Sequence, residues 1–302
     1  MRKSLNFVIV GAQKAGTSFL HNCLMDHPDL SMPDEELVIF ENPYYSDKSL
    51  KDLEMKLSSC GSGSLKGIKR PSYLAKEEAA KLIYDYSKNT RIIMILRNPV
   101  ERAYSAYFHL MKMGLSPIID PKKGLSKILK DGELKGYPRT KEILPFGLYS
   151  QHVERYLKLF PKKNVKIMFY YELKRNKKSF IASVYNFLGV DSTFAPESIN
   201  IRPQKSIYSI PRLKFKSFYL PLLYCYDKNR LTLTPRKQNT FTSALISVFK
   251  EFDRVVLKKI FNRENKYISK PLYDKLYEYY KEDILRLEKL LSKNLEIWKV
   301  RS

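Results

Sequence analysis

The sequence predicts an α/β fold, with a central parallel sheet, helices on both of its faces and further helices at the C-terminal end. Three observations carry this prediction. The runs 6–10 (Asn-Phe-Val-Ile-Val), 91–96 (Arg-Ile-Ile-Met-Ile-Leu) and 165–170 (Val-Lys-Ile-Met-Phe-Tyr) are short and dense in apolar residues, as strands buried on both faces are. Segments with a helical period of about 3.6 lie between them, the alternation expected of a parallel α/β sheet. The first run also ends on Gly11 and resumes as a helix at Thr17, a strand–loop–helix passage.

Taken in order, the elements justify themselves locally. The helix expected at 17–26 carries Phe19, Leu20, Cys23 and Leu24 on one face, and Pro28 stops it. Further helices are expected at 49–57 and 76–86, separated by the flexible Gly61-Ser-Gly-Ser64. Pro99 opens a helix that runs to about Met113, since proline is pre-set for the first helical position. The stretch 114–145 is polar and rich in Gly, Pro and Lys, and reads as an excursion with one short helix. An amphipathic helix is expected at 147–160, and another at 178–188 that ends at Gly189. From 191 to 240, prolines at 196, 203, 211, 221 and 235 leave little periodicity, so this stretch reads as an extended, basic covering segment. Long helices close the chain at 241–261 and 272–298. The second carries Leu272, Leu276, Tyr280, Ile284, Leu287, Leu291, Leu295 and Trp298 on one stripe, the mark of a helix packed on the core. No boundary in the sequence is sharp enough to separate a second domain, so 1–302 reads as one domain, with 114–145 and 190–240 as its variable, acceptor-side insertions.

Composition narrows the function classes. Apolar content of 44% with 13% aromatics excludes a disordered chain, and 11 Gly with 16 Pro exclude a collagen-like one. No apolar run has the roughly 20 residues of a membrane span, and the apolar start at 7–10 is too brief for a signal peptide. Cys23, Cys60 and Cys225 are scattered and odd in number, so they form no disulfide framework and no metal spacing. The histidines 21, 27, 109 and 152 have no ligand partners at metal spacing either. A reduced, cytoplasmic location is expected. The formal charge is +24, but 39 of the 55 basic residues are Lys, and a Lys surplus is often only a solvating surface. Its distribution says more: between 200 and 250 there are ten basic residues against one acid, Asp227, a stretch suited to steering an anionic ligand. No helix-turn-helix, RNP or zinc-finger pattern accompanies that charge, so nucleic acid is not an expected partner. The apolar stretch 218–226 reads as an acceptor-pocket lid or core packing rather than a membrane contact.

The sharpest motif is Gly11-Ala-Gln-Lys14-Ala15-Gly16-Thr17-Ser18, placed after a strand and before a helix. There, free backbone N–H groups and the positive helix end converge on an anion. The two glycines fit the nucleotide-triphosphate loop G-x-x-x-x-G-K-[ST], and the fold expected is a single P-loop-type three-layer domain. Thr17, however, stands where that loop has its Lys, and Lys14 sits inside the loop instead. The next buried strand ends in Arg97-Asn98, a cation where a Mg²⁺-holding carboxylate would stand. The site thus reads as one that holds phosphate-like charge with side chains and no metal.

Lys14-Ala-Gly-Thr17-Ser18, Gly67-Ile-Lys-Arg-Pro-Ser-Tyr73 and Leu96-Arg-Asn-Pro-Val-Glu-Arg-Ala-Tyr-Ser105 resemble, in order and spacing, the sulfotransferases that use 3′-phosphoadenosine 5′-phosphosulfate. The branch resembled includes the heparan sulfate sulfotransferases and many bacterial enzymes. The resemblance extends through Gly147-Leu-Tyr149 and the C-terminal Glu282-Asp-Ile-Leu-Arg-Leu-Glu, and is weakest at 114–145 and 190–240. It implies that Lys14, Ala15, Gly16, Thr17 and Ser18 bind the 5′-phosphosulfate, and that Arg97 and Ser105 hold the 3′-phosphate. It implies a general base in Pro33-Asp-Glu35-Glu36-Leu-Val-Ile-Phe40, with Glu36 in the family's position and Glu35 in reserve. An acceptor hydroxyl needs such a carboxylate because its own pKa is too high for unaided attack. Lys69 is implied at the reacting centre, where an ammonium stabilises charge on the leaving oxygen. Beside it, Arg70 replaces the family's hydroxyl residue. Arg212, and behind it Lys205, are implied in closing the cofactor pocket.

The expected reaction is transfer of the sulfuryl group to a hydroxyl or amine of an acceptor, most naturally a carbohydrate or glycolipid. Two other readings stay open at this level. One is an ATP-dependent kinase with a degenerate loop, against which the missing Lys at 17 and the missing Asp after Leu96 count. The other is a non-catalytic basic protein binding nucleic acid or anionic glycans. The acceptor and the oligomeric state are not legible in the sequence.

Overall fold

A computed structural model describes residues 4–201, 207–261 and 267–300. In chain order the elements begin with β1 (Leu5–Gly11), α1 (Thr17–Met25), β2 (Leu30–Ser31), α2 (Asp47–Ser59), β3 (Leu65–Lys69), α3 (Ala79–Tyr86) and β4 (Arg91–Leu96). They continue with α4 (Pro99–Lys112), α5 (Pro121–Asp131), α6 (Tyr149–Leu159), β5 (Val165–Phe169), α7 (Tyr170–Arg175) and α8 (Lys177–Leu188). The last are α9 (Ile210–Leu223), β6 (Tyr224–Tyr226), β7 (Leu233–Pro235), α10 (Thr240–Phe252), α11 (Lys258–Ile260) and α12 (Lys270–Leu291). Packing groups them into two compact units, one from the described residues of 1–98, 148–203 and 283–295, the other from those of 99–147, 204–282 and 296–302. Each unit is assembled from three separate stretches of chain, which is why no single boundary shows in the sequence.

The first unit is built on a five-stranded sheet of order β2-β3-β1-β4-β5, and every pairing in it is parallel. Its centre is dry. Phe7, Val8, Ile9 and Val10 of β1 and Ile92 to Leu96 of β4 are fully buried, so both strands read as unbroken apolar runs. β3 is the strand the sequence reading lacks. Leu65-Lys-Gly-Ile-Lys has only two large apolar residues, and Gly67 is small for a packing reason: a Cβ there would lie 2.3 Å from the buried Phe7 ring. The two-residue β2 is below the length at which a periodic signal forms.

In the second unit, α4 buries most of its length, and α5 is capped by Asp120, whose carboxylate accepts from the Lys122 and Lys123 amides at 2.9 and 3.3 Å. Two expectations need correction here. The stretch 191–240 is not simply extended: it contains α9 and the small antiparallel pair β6–β7. Pro211 sits at the start of α9, where it costs nothing, and Pro221 lies in its last turn, so neither breaks the helix body. The final helix stops at Leu291 rather than running to Trp298. Ser292 turns left-handed (φ 49°), and Leu295 and Trp298 are buried beyond the helix end. The long helix expected at 241–261 is α10 and α11 joined by a π turn at Asp253–Leu257.

Candidate active site

In a parallel sheet the carboxyl ends of the strands share one rim, where ligands of such folds bind. In the first unit the adjacent strands β3, β1 and β4 deliver to that rim Lys69, the loop after Gly11, and Arg97. The loops are fixed to the strand ends: Ala12 donates to the Ile95 carbonyl (2.8 Å), Arg70 to that of Ile9 (3.0 Å) and Leu74 to that of Val10 (2.8 Å).

The β1–α1 loop is shaped for an anion. Lys14 and Gly16 both adopt left-handed backbone, with φ of 68° and 93°. Gly16 opens α1 without a side-chain cap, and no acidic residue lies in the first turn, so the positive end of the helix dipole is unopposed there. Gly16 is also needed for fit, because a Cβ would lie 2.8 Å from Leu173 Cδ2 and 3.3 Å from the Tyr170 ring. Ala15 and Thr17 are buried, and Ser18 is exposed. Arg97 locks this loop from β4: its Nη1 donates to the Lys14 carbonyl at 3.1 Å, and its guanidinium lies 4.8 Å over the Tyr170 ring. Tyr170 was not singled out in the sequence. It is the first residue of α7, a helix too short to leave a periodic signal.

The second cluster stands at the end of β3. Lys69 Nζ lies 3.2 Å from Glu36 Oε1, and Arg70 Nη1 lies 3.4 Å from Glu36 Oε2. The Lys69 side chain is 8% exposed, whereas that of Glu36 is 38% exposed, so the carboxylate is both held by cations and open to a ligand. Arg70 also grips Glu41 with two bonds, Nε–Oε1 at 2.6 Å and Nη2–Oε2 at 3.3 Å. These carboxylates hold the guanidinium pKa above its ordinary value against burial, which acts to lower it. Arg70 therefore does more than replace a hydroxyl, since it joins the base candidate to a buried acid. Glu35 points elsewhere and pairs with Lys56.

Two buried groups fix the segment that carries Glu36. His21 Nε2 donates to the Pro33 carbonyl at 3.0 Å, and burial, then the nearby Lys69 charge, push its pKa below the usual 6.5. Tyr73 Oη donates to the Leu37 carbonyl and accepts from the Phe40 amide. Desolvation pushes the Tyr73 phenol well above its ordinary pKa, so it stays a neutral tether. A His and a Tyr in ordinary helix and loop sequence gave no signal of this task.

The remaining expected residues lie in the second unit. Ser105 is buried on α4, and its Oγ lies 3.3 Å from Tyr208 Oη. The Tyr208 ring stacks on Tyr104 and meets Phe108 edge-on. Arg212 of α9 makes a bidentate pair with Asp253, at 2.8 and 2.7 Å, and so ties α9 to the end of α10. Lys205 lies outside the described residues. Among the described residues, no group of three or more metal-capable side chains comes together.

The family model of the sulfotransferase domain matches residues 5–261. Mouse heparan sulfate glucosamine 3-O-sulfotransferase 6 is 26% identical over 247 residues, which is 82% of this chain and 69% of that protein. Human heparan sulfate glucosamine 3-O-sulfotransferase 3B1 is 28% identical over 183 residues, 61% of this chain but only 45% of that protein. Among solved structures, a sulfotransferase from Alicyclobacillus acidocaldarius superposes with a TM-score of 0.66 over 98% of this chain and 99% of its own, at 22% identity. That likeness is one of fold.

Proposed function

The chain belongs to the sulfotransferase family, and from that premise we propose that it moves the sulfuryl group of 3′-phosphoadenosine 5′-phosphosulfate to a hydroxyl or amine of a carbohydrate or glycolipid acceptor. The observation that carries the reading is the Lys69–Glu36–Arg70 cluster on the same sheet rim as the β1–α1 loop. The residues of the loop fit the donor's charge: an uncapped helix start, Lys14 within the loop, and Arg97 packed against its backbone. When bound, the donor supplies an activated sulfuryl group whose departure leaves charge on a phosphate oxygen.

Each residue then has a defined task. The α1 amides with Gly16, Thr17 and Ser18 orient the anionic end of the donor. Lys14 and Lys69 stabilise the charge that develops on the leaving oxygen, Lys69 from a buried position already held by Glu36. Glu36, whose side chain is partly exposed, takes the proton from the acceptor. Arg70 and Lys69 hold and aim the Glu36 carboxylate, while Glu41 holds Arg70. Arg97 is the proposed anchor of the 3′-phosphate. Ser105 and Arg212 enter as donor contacts through the resemblance alone. The carbohydrate acceptor rests on what the similar mouse and human proteins are named for, and a strongly basic chain is compatible with an anionic one.

The test is calorimetric titration with 3′,5′-adenosine bisphosphate in EDTA. Wild type is expected to bind in the micromolar range, and Arg97→Ala at least about tenfold more weakly, or ≥1.4 kcal/mol. Binding that requires ATP with Mg²⁺ would return the chain to kinase chemistry.

A further inference from the structure

The second unit exposes an apolar stripe that the proposed chemistry does not use. α10 is apolar on two sides. One side packs on α9: Ile246 is buried, and the Phe249 ring stacks on Tyr219 at 5.5 Å. The other side faces solvent and carries Phe241 (75% exposed), Val248 (63%), Val255 (42%) and Ile260 (65%), while Phe252 at its edge packs on Phe215 of α9 at 5.4 Å. Steps of seven, seven and five residues keep Phe241, Val248, Val255 and Ile260 in one row, and the π turn at Asp253–Leu257 re-phases the helix so that the row continues into α11. Phe218 of α9, in the stretch 218–226 expected to serve as an acceptor-pocket lid or as core packing, is 81% exposed. Single exposed apolar residues are ordinary, but a row of large ones along five turns marks a surface that meets something.

The charge around the row says what. Lys250, Arg254, Lys258 and Lys259 are exposed on the same helical segment, and Arg236 and Lys237 precede it. The acids nearby are already engaged, Glu251 with Arg254 and Asp253 with Arg212. We propose that this face of α10 and α11 docks on a lipid bilayer that displays anionic headgroups, with the apolar row in the acyl boundary and the lysines at headgroup level. Aromatic and aliphatic residues on one side of a helix with Lys and Arg beside them are the composition of an interfacial helix. A second copy of the chain fits less well, because a two-fold contact would bring the same basic set against itself. Among the described residues no helix is long and apolar enough to cross a membrane, so the docking is peripheral. The inference stands apart from the sulfuryl-transfer reading and survives its failure.

Cosedimentation of the full chain with phosphatidylcholine vesicles, alone and mixed with phosphatidylglycerol, tests it. Binding is expected to the mixed vesicles only and to weaken with salt. Phe241→Ser/Val248→Ser/Ile260→Ser is expected to lower the apparent affinity at least about tenfold. The triple variant's folding is checked by circular dichroism. Phe241→Trp provides a second readout that does not depend on that variant, with emission shifting to the blue on mixed vesicles and quenched by brominated lipid. Three results overturn the proposal: no binding to mixed vesicles, a well-folded triple variant that binds as wild type does, or a stripe whose removal changes only the oligomeric state in sedimentation velocity.

Discussion

Glu35 and Glu36 are neighbours in the chain but belong to different partners, Glu35 to Lys56 on α2 and Glu36 to Lys69 and Arg70 at the end of β3. The chain bends at Asp34–Glu35, and the two side chains leave it toward different partners, so only Glu36 faces the rim. Glu36→Gln is expected to lower transfer from donor to a mixed carbohydrate pool by about 10²–10³-fold while leaving adenosine bisphosphate affinity within about twofold. Glu35→Gln should change neither, and equal losses for the two variants would remove the assignment. The motif made the acidic pair legible, whereas the choice between its members depends on cations far away in sequence. His21 was illegible in another way, because its role is to hold the Pro33 carbonyl from a buried position. Its folded pKa lies below 6.5, so between the two values the unfolded chain binds more protons than the native one, and stability is lost as pH falls below about 6.5. His21→Gln keeps a donor and removes the titration. Its melting temperature should fall less steeply than wild type between about pH 7.5 and 5.5, and parallel slopes would show that His21 does not contribute.

Strands β1 and β4 were legible because both of their faces are buried, which forces an apolar run that no loop tolerates, and the edge strand β5 was legible from its apolar Ile167-Met-Phe169, of which Met168 and Phe169 are buried. β3 was not, since its middle residue is a glycine and its last is the lysine that serves the site. The Phe7 ring occupies the space over Gly67, and Phe7 has no exposed surface through which to leave. Gly67→Ala therefore overpacks the sheet and should cost about 1–3 kcal/mol in urea unfolding, with Phe7→Leu in the same chain recovering part of the loss. An unchanged midpoint would show that β3 shifts freely, which would loosen Lys69 with it. The same opposition of local rule and packing hid α9, where prolines signal extension but sit only at the first and last turns.

At the scale of the whole molecule, the fold class and the loop came from patterns that repeat along the chain, while the division into two units is a property of packing alone. Each unit takes three stretches of sequence, so neither is excised by one cut, but they need not melt together. Lys14, Arg97, Lys69 and Glu36 all belong to the first unit, so a ligand held by them adds its binding energy to that unit's folding. At a hundred times its Kd, adenosine bisphosphate should stabilise the native form by about 2.7 kcal/mol, which for a unit of this size raises the midpoint by about 5–10 °C. Scanning calorimetry reads both the shift and which transition carries it. The expected outcome is two transitions, of which the first unit's moves the more because Ser105 and Arg212 are the only proposed donor contacts in the second, and Arg97→Ala should remove about half of the movement at the same ligand concentration, since a tenfold weaker Kd subtracts about 1.4 kcal/mol. A single transition that moves as a body would show that the two units unfold as one cooperative structure. Two transitions with no movement in either would take the donor away from the sheet rim and with it the assignment of Lys14 and Arg97.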